Sequence, residues 1–343
     1  MIMDKKLKKI KISVVIPAYN VGKYIGETIQ SLVDQSYKNV EIVVVDDNSA
    51  DDTGLVVKSF MGRADVKYER FDRNQGASAA FNRGHRLATG DLVIYLDSDN
   101  FLHPKTFEEA VNFLDSNPDY GVVYFDLFHF FDNDGKRKVY YHKLHNPSGL
   151  IFDDLINGVV SINLSRVLFK SSIIKDVFFD ESLRYGGDWD YWLTVAFKKV
   201  KFGFLNKKLL YSRQRASGNS TGGKGRFGSK KDYITVLNKW KGNLSEEEIN
   251  KLKINEKIKR AELMAVLNLA EFSGRREALA ELKKIESLKL KDRIQKSLIF
   301  LFLIVPTKLI GLLFSKYYDF KTNKINFKEL SGLTIEKTLK STD

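Results

Sequence analysis

The chain has 343 residues, 43% hydrophobic and 12% aromatic, a composition that excludes a disordered protein and fits one large domain with an appendage. It contains no cysteine, so disulfides and thiolate metal sites are excluded, and any metal would be a hard ion such as Mg²⁺ or Mn²⁺. The formal net charge of +13 predicts an anionic partner, which could be nucleic acid, a phosphate-bearing small molecule or an acidic membrane face.

The first hundred residues alternate between short β-branched runs and helical patterns. The basic start leads into an apolar run that is too short for a signal peptide, so we interpret that run as the first strand. Alternating strands and helices predict an α/β fold, a mostly parallel sheet with flanking helices. The predicted strands are 10–16, 40–45, 66–71 and 92–96, and the predicted helices are 21–35, 53–60 and 77–88.

The pattern changes after residue 99. A glycine-rich loop at 217–228 precedes charged amphipathic helices, so we predict a catalytic domain over 1–228 and a helical region over 229–343. In chain order, we predict a helix at 104–116, a hairpin over 122–141 with its turn at 133–135, a helix at 188–198, short strands at 202–205 and 209–212, and helices at 244–272 and 275–288.

An apolar stretch at 297–314 lies within the helical region. Its longest uninterrupted apolar run has eight residues, against about 20 needed to cross a bilayer, and Pro306 and Lys308 interrupt the stretch. Basic residues flank it, as in a helix that lies in an anionic membrane interface. The alternative is a helix that closes the core of the C-terminal region. We expect a cytoplasmic protein, attached to the inner face of the cell membrane if the first interpretation holds.

Polar clusters follow three of the predicted strands, at the carboxyl ends where parallel sheets bind ligands. Asp97-Ser98-Asp99 follows the fourth strand. Carboxylates two residues apart can face one metal ion, which would stabilise charge on a departing diphosphate. A solvated acidic turn is the alternative, but the position after a strand favours a metal site.

The cluster after the second strand and the loop before the third predicted helix point to a nucleotide. We assign Asp47 to a uracil N–H or ribose hydroxyl, and Asp51 and Asp52 to capping of the next helix. Gly76 lets the backbone approach a ligand, and Arg73 supplies a cation. No G-x-G-x-x-G or G-K-[ST] motif follows a strand, which argues against a dehydrogenase or a kinase.

Asp188 lies at a predicted helix start beside Trp189 and Trp192. Apolar rings raise the pKa of a carboxyl group, which suits a general base. Asp188 could instead be the helix N-cap with both tryptophans in the core; we expect Asp188 to be both base and cap, and Trp192 to be core. Arg213 and Arg215 precede the glycine-rich loop and would form either a diphosphate clamp or a solvated basic loop.

Taken in order, segments 14–20, 45–49, 73–76, 89–99 and 187–190 resemble glycosyltransferase family 2, of the GT-A fold. The resemblance implies an inverting, metal-dependent transfer of a sugar from a nucleotide diphosphate, with UDP favoured, to a hydroxyl of a glycan or lipid-linked saccharide. Cell-surface polysaccharide or glycoconjugate synthesis would be the setting. The implied residues are Pro17, Tyr19, Asn20, Asp47, Arg73, Gly76, Asp97, Ser98 and Arg215 for the donor, Asp99 and Asp97 for the metal, Asp188 for catalysis, and Trp189 and Asp190 for the acceptor.

The sequence departs from the family pattern at two positions. Gly187 stands where the family often has glutamate, and Arg215 where it often has a metal-binding histidine, so Arg215 would contact phosphate directly. The Q-x-x-R-W sequence of processive synthases is absent, which predicts one sugar per encounter. A nucleotidyltransferase and a non-catalytic sugar-binding module remain alternatives, as does a nucleic-acid-binding protein, although the basic helices lack the aromatic residues of RNA-binding surfaces.

Overall fold

A computed structural model of the chain describes residues 10–133, 136–141, 144–214, 223–273, 275–285 and 296–297. The chain divides into two compact units, Met1–Gly218 and Asn219–Asp343. The first unit contains the sheet, and the described part of the second is helical. Among the described residues no helix is both long enough and apolar enough to cross a bilayer. The predicted segment 297–314 lies outside these residues, apart from Ser297.

The elements follow one another in the order that the first hundred residues predict, with additions after β4. The strands are β1 (Ile12–Ala18), β2 (Val40–Asp46), β3 (Asp65–Arg70), β4 (Leu92–Tyr95), β5 (Phe101–Leu102), β6 (Tyr120–Asn133), β7 (Lys136–Tyr140), β8 (Val167–Lys170) and β9 (Lys201–Arg213). The helices of the first unit are α1 (Gly22–Val33), α2 (Thr53–Lys58), α3 (Ala77–Leu87), α4 (Thr106–Ser116), α5 (Phe152–Ile156), α6 (Ser171–Ile174) and α7 (Gly187–Phe197), with a 3-10 turn at Leu164–Arg166. The second unit has α8 (Gly223–Lys241), α9 (Glu246–Lys251), α10 (Ile254–Phe272) and α11 (Arg275–Lys284).

The described strands form one sheet in the order β3-β2-β1-β4-β8-β6-β9-β5, with β7 paired to β6. The first four strands are parallel, as predicted. Beyond β4 the sheet is mixed, because β8 runs antiparallel to both β4 and β6, while β6 and β9 are parallel. The parallel half brings the carboxyl ends of β1, β2 and β4 to one edge of the sheet.

Strand β1 lies at the centre of the parallel half and is buried on both faces. Its Val14 and Ile16 belong to the same apolar cluster as Ile29 of α1. On the opposite face, a Cβ atom on Gly84 of α3 would lie 2.3 Å from the Val15 side chain, so the helix packs directly on the strand. Each buried aliphatic side chain stabilises this arrangement by about 1.5–3 kcal/mol.

Several predicted boundaries are wrong for reasons that involve distant residues. The two short strands predicted at 202–205 and 209–212 form the single strand β9. Where β9 pairs with β6, the register skips from Leu205 to Lys208 of β9. This bulge contains the polar residues that resemble a turn. Short elements such as β5, β8, α5 and α6 lack a detectable period and were missed.

The helical region also differs from the prediction. The helix predicted at 244–272 is broken at Lys253, whose φ of 53° is left-handed, so α9 and α10 are separate. A capping box between Ser245 and Glu248 begins α9. Residues 223–228, predicted as loop, belong to α8.

A buried carboxylate anchors the edge of the sheet opposite to the polar clusters. The Glu41 side chain is fully buried and accepts hydrogen bonds from Ser13 Oγ at 2.5 Å and from the Thr89 backbone N–H at 2.6 Å. Its other oxygen pairs with Lys11 Nζ at 2.7 Å and Lys67 Nζ at 2.9 Å. Burial alone would raise the pKa of Glu41, but these bonds outweigh it and lower the pKa to about 2.

We predict that Glu41→Gln lowers the free energy of unfolding at pH 7 by on the order of 3 kcal/mol, the equivalent of the pKa shift. Because the folded-state pKa is depressed, wild-type Glu41 contributes stability above pH 4.5, its ordinary pKa, and loses it as pH falls towards 2. Denaturant unfolding at several pH values should therefore show a flatter acid dependence in the variant.

The matched control is Glu109→Gln, which breaks a surface ion pair to Lys207. An exposed pair of this kind contributes less than about 1 kcal/mol. If both variants unfolded alike across the acid range, Glu41 would not be an anchor of the sheet.

Candidate active site

The turn after β4, Asp97–Asn100, carries the predicted metal ligands. Ser165, in the 3-10 turn, donates from Oγ to Asp97 Oδ2 at 2.8 Å and accepts from the Asp97 backbone N–H at 3.0 Å. Asn100 Nδ2 donates to the same carboxylate oxygen at 3.0 Å. Asp97 and Asp99 are half-buried, whereas Ser98 and Asn100 are buried. The orientation of the Asp97 carboxylate is therefore set by two donors.

The backbone of this turn is held from two further elements. Thr28 Oγ1 of α1 donates to the Ser98 carbonyl at 2.9 Å. Arg213, the last residue of β9, donates from Nε to the Asp99 carbonyl at 3.1 Å and from its backbone N–H to Asn100 Oδ1 at 3.0 Å. Side chains 60 or more positions away in sequence thus fix the turn.

Asp47 joins the ends of β1 and β2 to the loop before α3. Its backbone N–H donates to the Ala18 carbonyl at 2.8 Å. Its carboxylate is buried and accepts from the backbone N–H groups of Gln75 at 2.6 Å and Gly76 at 2.8 Å. Gly76 has a φ of 93°, a left-handed conformation that disfavours any side chain. The sequence predicts a nucleotide contact for Asp47 but not this structural connection.

The end of β1 presents three predicted donor-binding residues. Tyr19 is 52% exposed at the sheet edge, and Pro17 is half-buried within the strand. Asn20 Oδ1 accepts a hydrogen bond from the Ala50 backbone N–H at 2.8 Å, and the Asn20 backbone N–H donates to Ser49 Oγ at 3.0 Å. Asn20 therefore ties β1 to the acidic loop, and Tyr19 remains accessible to a ligand.

Helix capping in the acidic loop is performed by one of the two predicted residues. Asp51 accepts from the Thr53 backbone N–H at 3.1 Å, and its second oxygen accepts from Gly22, the first residue of α1, at 3.0 Å. Asp52 occupies the N-cap position of α2 but makes no side-chain capping bond. Both predicted residues therefore lie at the start of α2, but only the Asp51 side chain forms the predicted capping bond, and it bonds to the starts of both helices.

Asp188 lies in the first turn of α7. The predicted N-cap role is wrong, because the helix begins at Gly187 and Gly186 is the N-cap residue. Asp188 Oδ1 instead accepts from the Trp189 backbone N–H at 2.8 Å. Asp188 is exposed at the surface; desolvation raises the pKa of its carboxyl group, and the hydrogen bond from the Trp189 N–H opposes this rise in part. The carboxyl group therefore has the shifted pKa expected of a general base.

Helix α3 connects Asp188 to the Asp47 loop. A Cβ atom on Gly187 would lie 3.3 Å from Ser78 Oγ in the first turn of α3. Further along α3, Asn82 forms a pair of hydrogen bonds with the Phe179 backbone, at 2.9 Å to the carbonyl and 2.8 Å from the N–H. The helix that begins next to Gly76 thus also holds the segment that leads to Asp188.

The residues after Asp188 separate into surface and core. Trp189 is half-buried and donates from Nε1 to the Leu155 carbonyl at 3.0 Å. Trp192 is 2% exposed and stacks on Phe169, so its predicted core position is confirmed. Asp190 is also buried, with 2% of its surface exposed.

The predicted basic residues are in different environments. Arg73 is exposed beside the Asp47 loop, and Arg215 lies outside the described residues. The Arg213 side chain is only 5% exposed and forms ion pairs with Glu27 and Asp132. No local pattern in the sequence predicts these two partners, because they lie 81 or more positions away from Arg213 in the sequence.

The chemistry of Asp97 and Asp99 fits a hard divalent ion. Within the described ranges, no group of three or more histidine or acidic side chains could hold a metal by itself. Mg²⁺, however, needs only one or two carboxylates when water and substrate phosphates complete its shell. The pair therefore suits an ion that is bound together with a diphosphate.

Residues 13–177 match the family model described as Glycosyl transferase family 2. Residues 13–177 belong to glycosyltransferase family 2. An uncharacterized glycosyltransferase of Rickettsia conorii is 30% identical over 216 residues, which are 62% of this chain and 34% of the relative. The minor teichoic acid biosynthesis protein GgaB of Bacillus subtilis is 26% identical over 226 residues, 64% of this chain and 24% of that protein. The chain therefore spans about a third or less of the length of these relatives.

Solved structures share the fold of this chain. The S. aureus TarS 1–349 complex with UDP has a TM-score of 0.61 at 17% identity, covering 92% of this chain and 94% of that one. The Pyrobaculum calidifontis mannosyltransferase PcManGT, in complex with GDP-Man and Mn²⁺, has a TM-score of 0.55 at 17% identity, covering 86% and 85%. The predicted GT-A fold and the resemblance to the family are both confirmed.

Proposed function

We propose that this glycosyltransferase is an inverting enzyme that transfers one sugar per encounter from a UDP-sugar to a hydroxyl of a glycan or lipid-linked saccharide. One observation carries the proposal: helix α3 connects two carboxylates that are far apart in the sequence, Asp47 and Asp188. Asp47 binds the loop at the start of this helix, and Asp188 follows Gly187, which adjoins the same first turn. A donor-binding edge and a candidate base are therefore parts of one site.

The comparisons support the choice of donor and acceptor class. S. aureus TarS 1–349 has been solved with UDP and with UDP-GlcNAc. GgaB is named for minor teichoic acid biosynthesis. The TarS complexes favour a UDP-sugar donor, and the name of GgaB favours a role in cell-surface polysaccharide or glycoconjugate synthesis.

The donor would lie along the carboxyl edge of β1, β2 and β4. Tyr19 and Asp47 would contact the base and ribose, and the exposed Arg73 would approach the phosphates. Pro17, Asn20, Gly76 and Ser98 shape the edge through the strand ends and loops that they occupy.

Asp99, with Asp97, would hold Mg²⁺ or Mn²⁺ together with the diphosphate. When bound, such an ion stabilises the negative charge that the leaving diphosphate acquires. The chain contributes a turn whose carbonyls and carboxylate are already hydrogen-bonded, so that little reorganisation accompanies donor binding.

Asp188 would accept the proton of the acceptor hydroxyl as the hydroxyl oxygen attacks the anomeric carbon of the donor sugar. The bond to the diphosphate then breaks with inversion, and the electron pair leaves with the phosphate oxygen. Desolvation raises the pKa of Asp188, which makes its carboxylate a stronger base than a solvated one. Trp189, half-buried on the next position of α7, offers a ring to the acceptor sugar.

We predict that Asp99→Ala weakens UDP binding in Mn²⁺ by about 10–100-fold while metal-free UDP binding changes little, since only the metal-dependent part is lost. Calorimetric titration with and without Mn²⁺ measures both. Asp115→Ala, which removes an exposed carboxylate at the end of α4, is the control and should bind as wild type does. Equal metal-dependent affinity in Asp99→Ala and wild type would remove Asp99 from the metal site.

We predict that Asp188→Asn lowers kcat by about 10²-fold or more, the usual share of a general base, with UDP affinity retained. The asparagine oxygen can still accept from the Trp189 N–H, so the melting temperature should stay near that of wild type. In wild type, kcat should rise with pH as Asp188 deprotonates through its raised pKa, and the variant should lose this step. Normal turnover by a folded variant would exclude Asp188 as the base.

A further inference from the structure

Arg213 is an almost fully buried cation at the end of β9. Its guanidinium lies 4.7 Å from the ring centre of Tyr24 and 4.6 Å from that of Phe130. Nη2 pairs with Glu27 at 2.5 Å, and Nη1 pairs with Asp132. A buried cation is stabilised only when carboxylates and rings of this kind surround it. The position of the guanidinium is therefore fixed from several sides.

The remaining nitrogen of this fixed group, Nε, donates to the Asp99 carbonyl at 3.1 Å. The Arg213 backbone N–H donates to Asn100 Oδ1 at 3.0 Å. Two bonds from one residue thus reach two adjacent positions of the turn that carries the candidate metal ligand. Glu27 belongs to α1 and Asp132 to β6, so the turn is connected through Arg213 to both elements.

Arg137 provides an internal comparison within the same ion-pair network. It pairs with Glu27 at 2.8 Å and with Asp132 at 2.9 Å, and it lies 4.6 Å from the Phe130 ring centre. Among the contacts of the described residues, none joins Arg137 to the Asp99 backbone. The two arginines share carboxylates and a ring, but only Arg213 holds the turn.

We propose that Arg213 is a positioning residue for metal-dependent donor binding, because it fixes the backbone of Asp99 before the diphosphate and the ion arrive. This inference rests on the proposed function. Lysine cannot replace the guanidinium, since a compact ammonium group cannot reach the carbonyl and both carboxylates at once. Arg213→Lys therefore keeps the charge and loses the geometry.

The test compares Arg213→Lys with Arg137→Lys by calorimetric titration of UDP, with and without Mn²⁺, together with thermal unfolding. We expect Arg213→Lys to weaken binding in Mn²⁺ by about tenfold or more, the usual effect of disturbing a group that orients a metal ligand. Metal-free UDP binding should not change. Arg137→Lys should change either affinity by less than about fivefold, which corresponds to the loss of a partly exposed ion pair.

Equal losses in the two variants would overturn the role of Arg213, because they would trace the effect to the shared network. Wild-type-like binding by Arg213→Lys would overturn it as well. Wild-type protein that binds no UDP in either condition would instead overturn the proposed function, and the inference with it. If Arg213→Lys does not fold, Arg213→Gln serves as the second variant, and the same selective loss is expected because an amide cannot bridge all three oxygens.

Discussion

The candidate site depends on the hydrogen bonds that the Asp47 carboxylate accepts from the loop before α3. The donors are the backbone N–H groups of Gln75 and Gly76. Hydrogen bonds to a carboxylate are stronger than hydrogen bonds between two neutral groups. This connection attaches the start of α3 to the end of β2, and α3 in turn holds the segment before Asp188 through Asn82. One carboxylate thus positions both the nucleotide edge and the helix that supports the candidate base.

The turn after β4 depends on a second set of long-range contacts. Ser165, Thr28 and Arg213 come from three separate elements and hold consecutive residues of the turn. A turn that is ordered before the ligand arrives loses less conformational entropy on binding. The same order keeps Asp97 and Asp99 oriented, as electrostatic stabilisation of a leaving diphosphate requires. The site is consequently built by the sheet edge and the elements around it rather than by one motif.

Local patterns were sufficient to predict the parallel half of the sheet, because β1, β2 and β4 have apolar runs that end in polar turn residues. They were also sufficient to place Asp97 and Asp99 after β4 and Asp188 at the start of α7, as the structure has them. Local patterns could not predict β9 as one strand, since its continuity comes from a bulged pairing with β6. Nor could they reveal Arg213 on the Asp99 carbonyl, because that bond joins residues 114 positions apart.

We propose that one sheet edge holds the donor and that the Asp188 carboxyl group faces the reacting end of the donor. A crystal structure of the chain with UDP and Mn²⁺ tests this most directly. We expect uridine beside Tyr19 and Asp47, the diphosphate and ion at Asp99, and the Asp188 carboxyl group facing the open side of the diphosphate. UDP bound away from the carboxyl ends of β1, β2 and β4, or Asp188 directed away from the diphosphate, would contradict it.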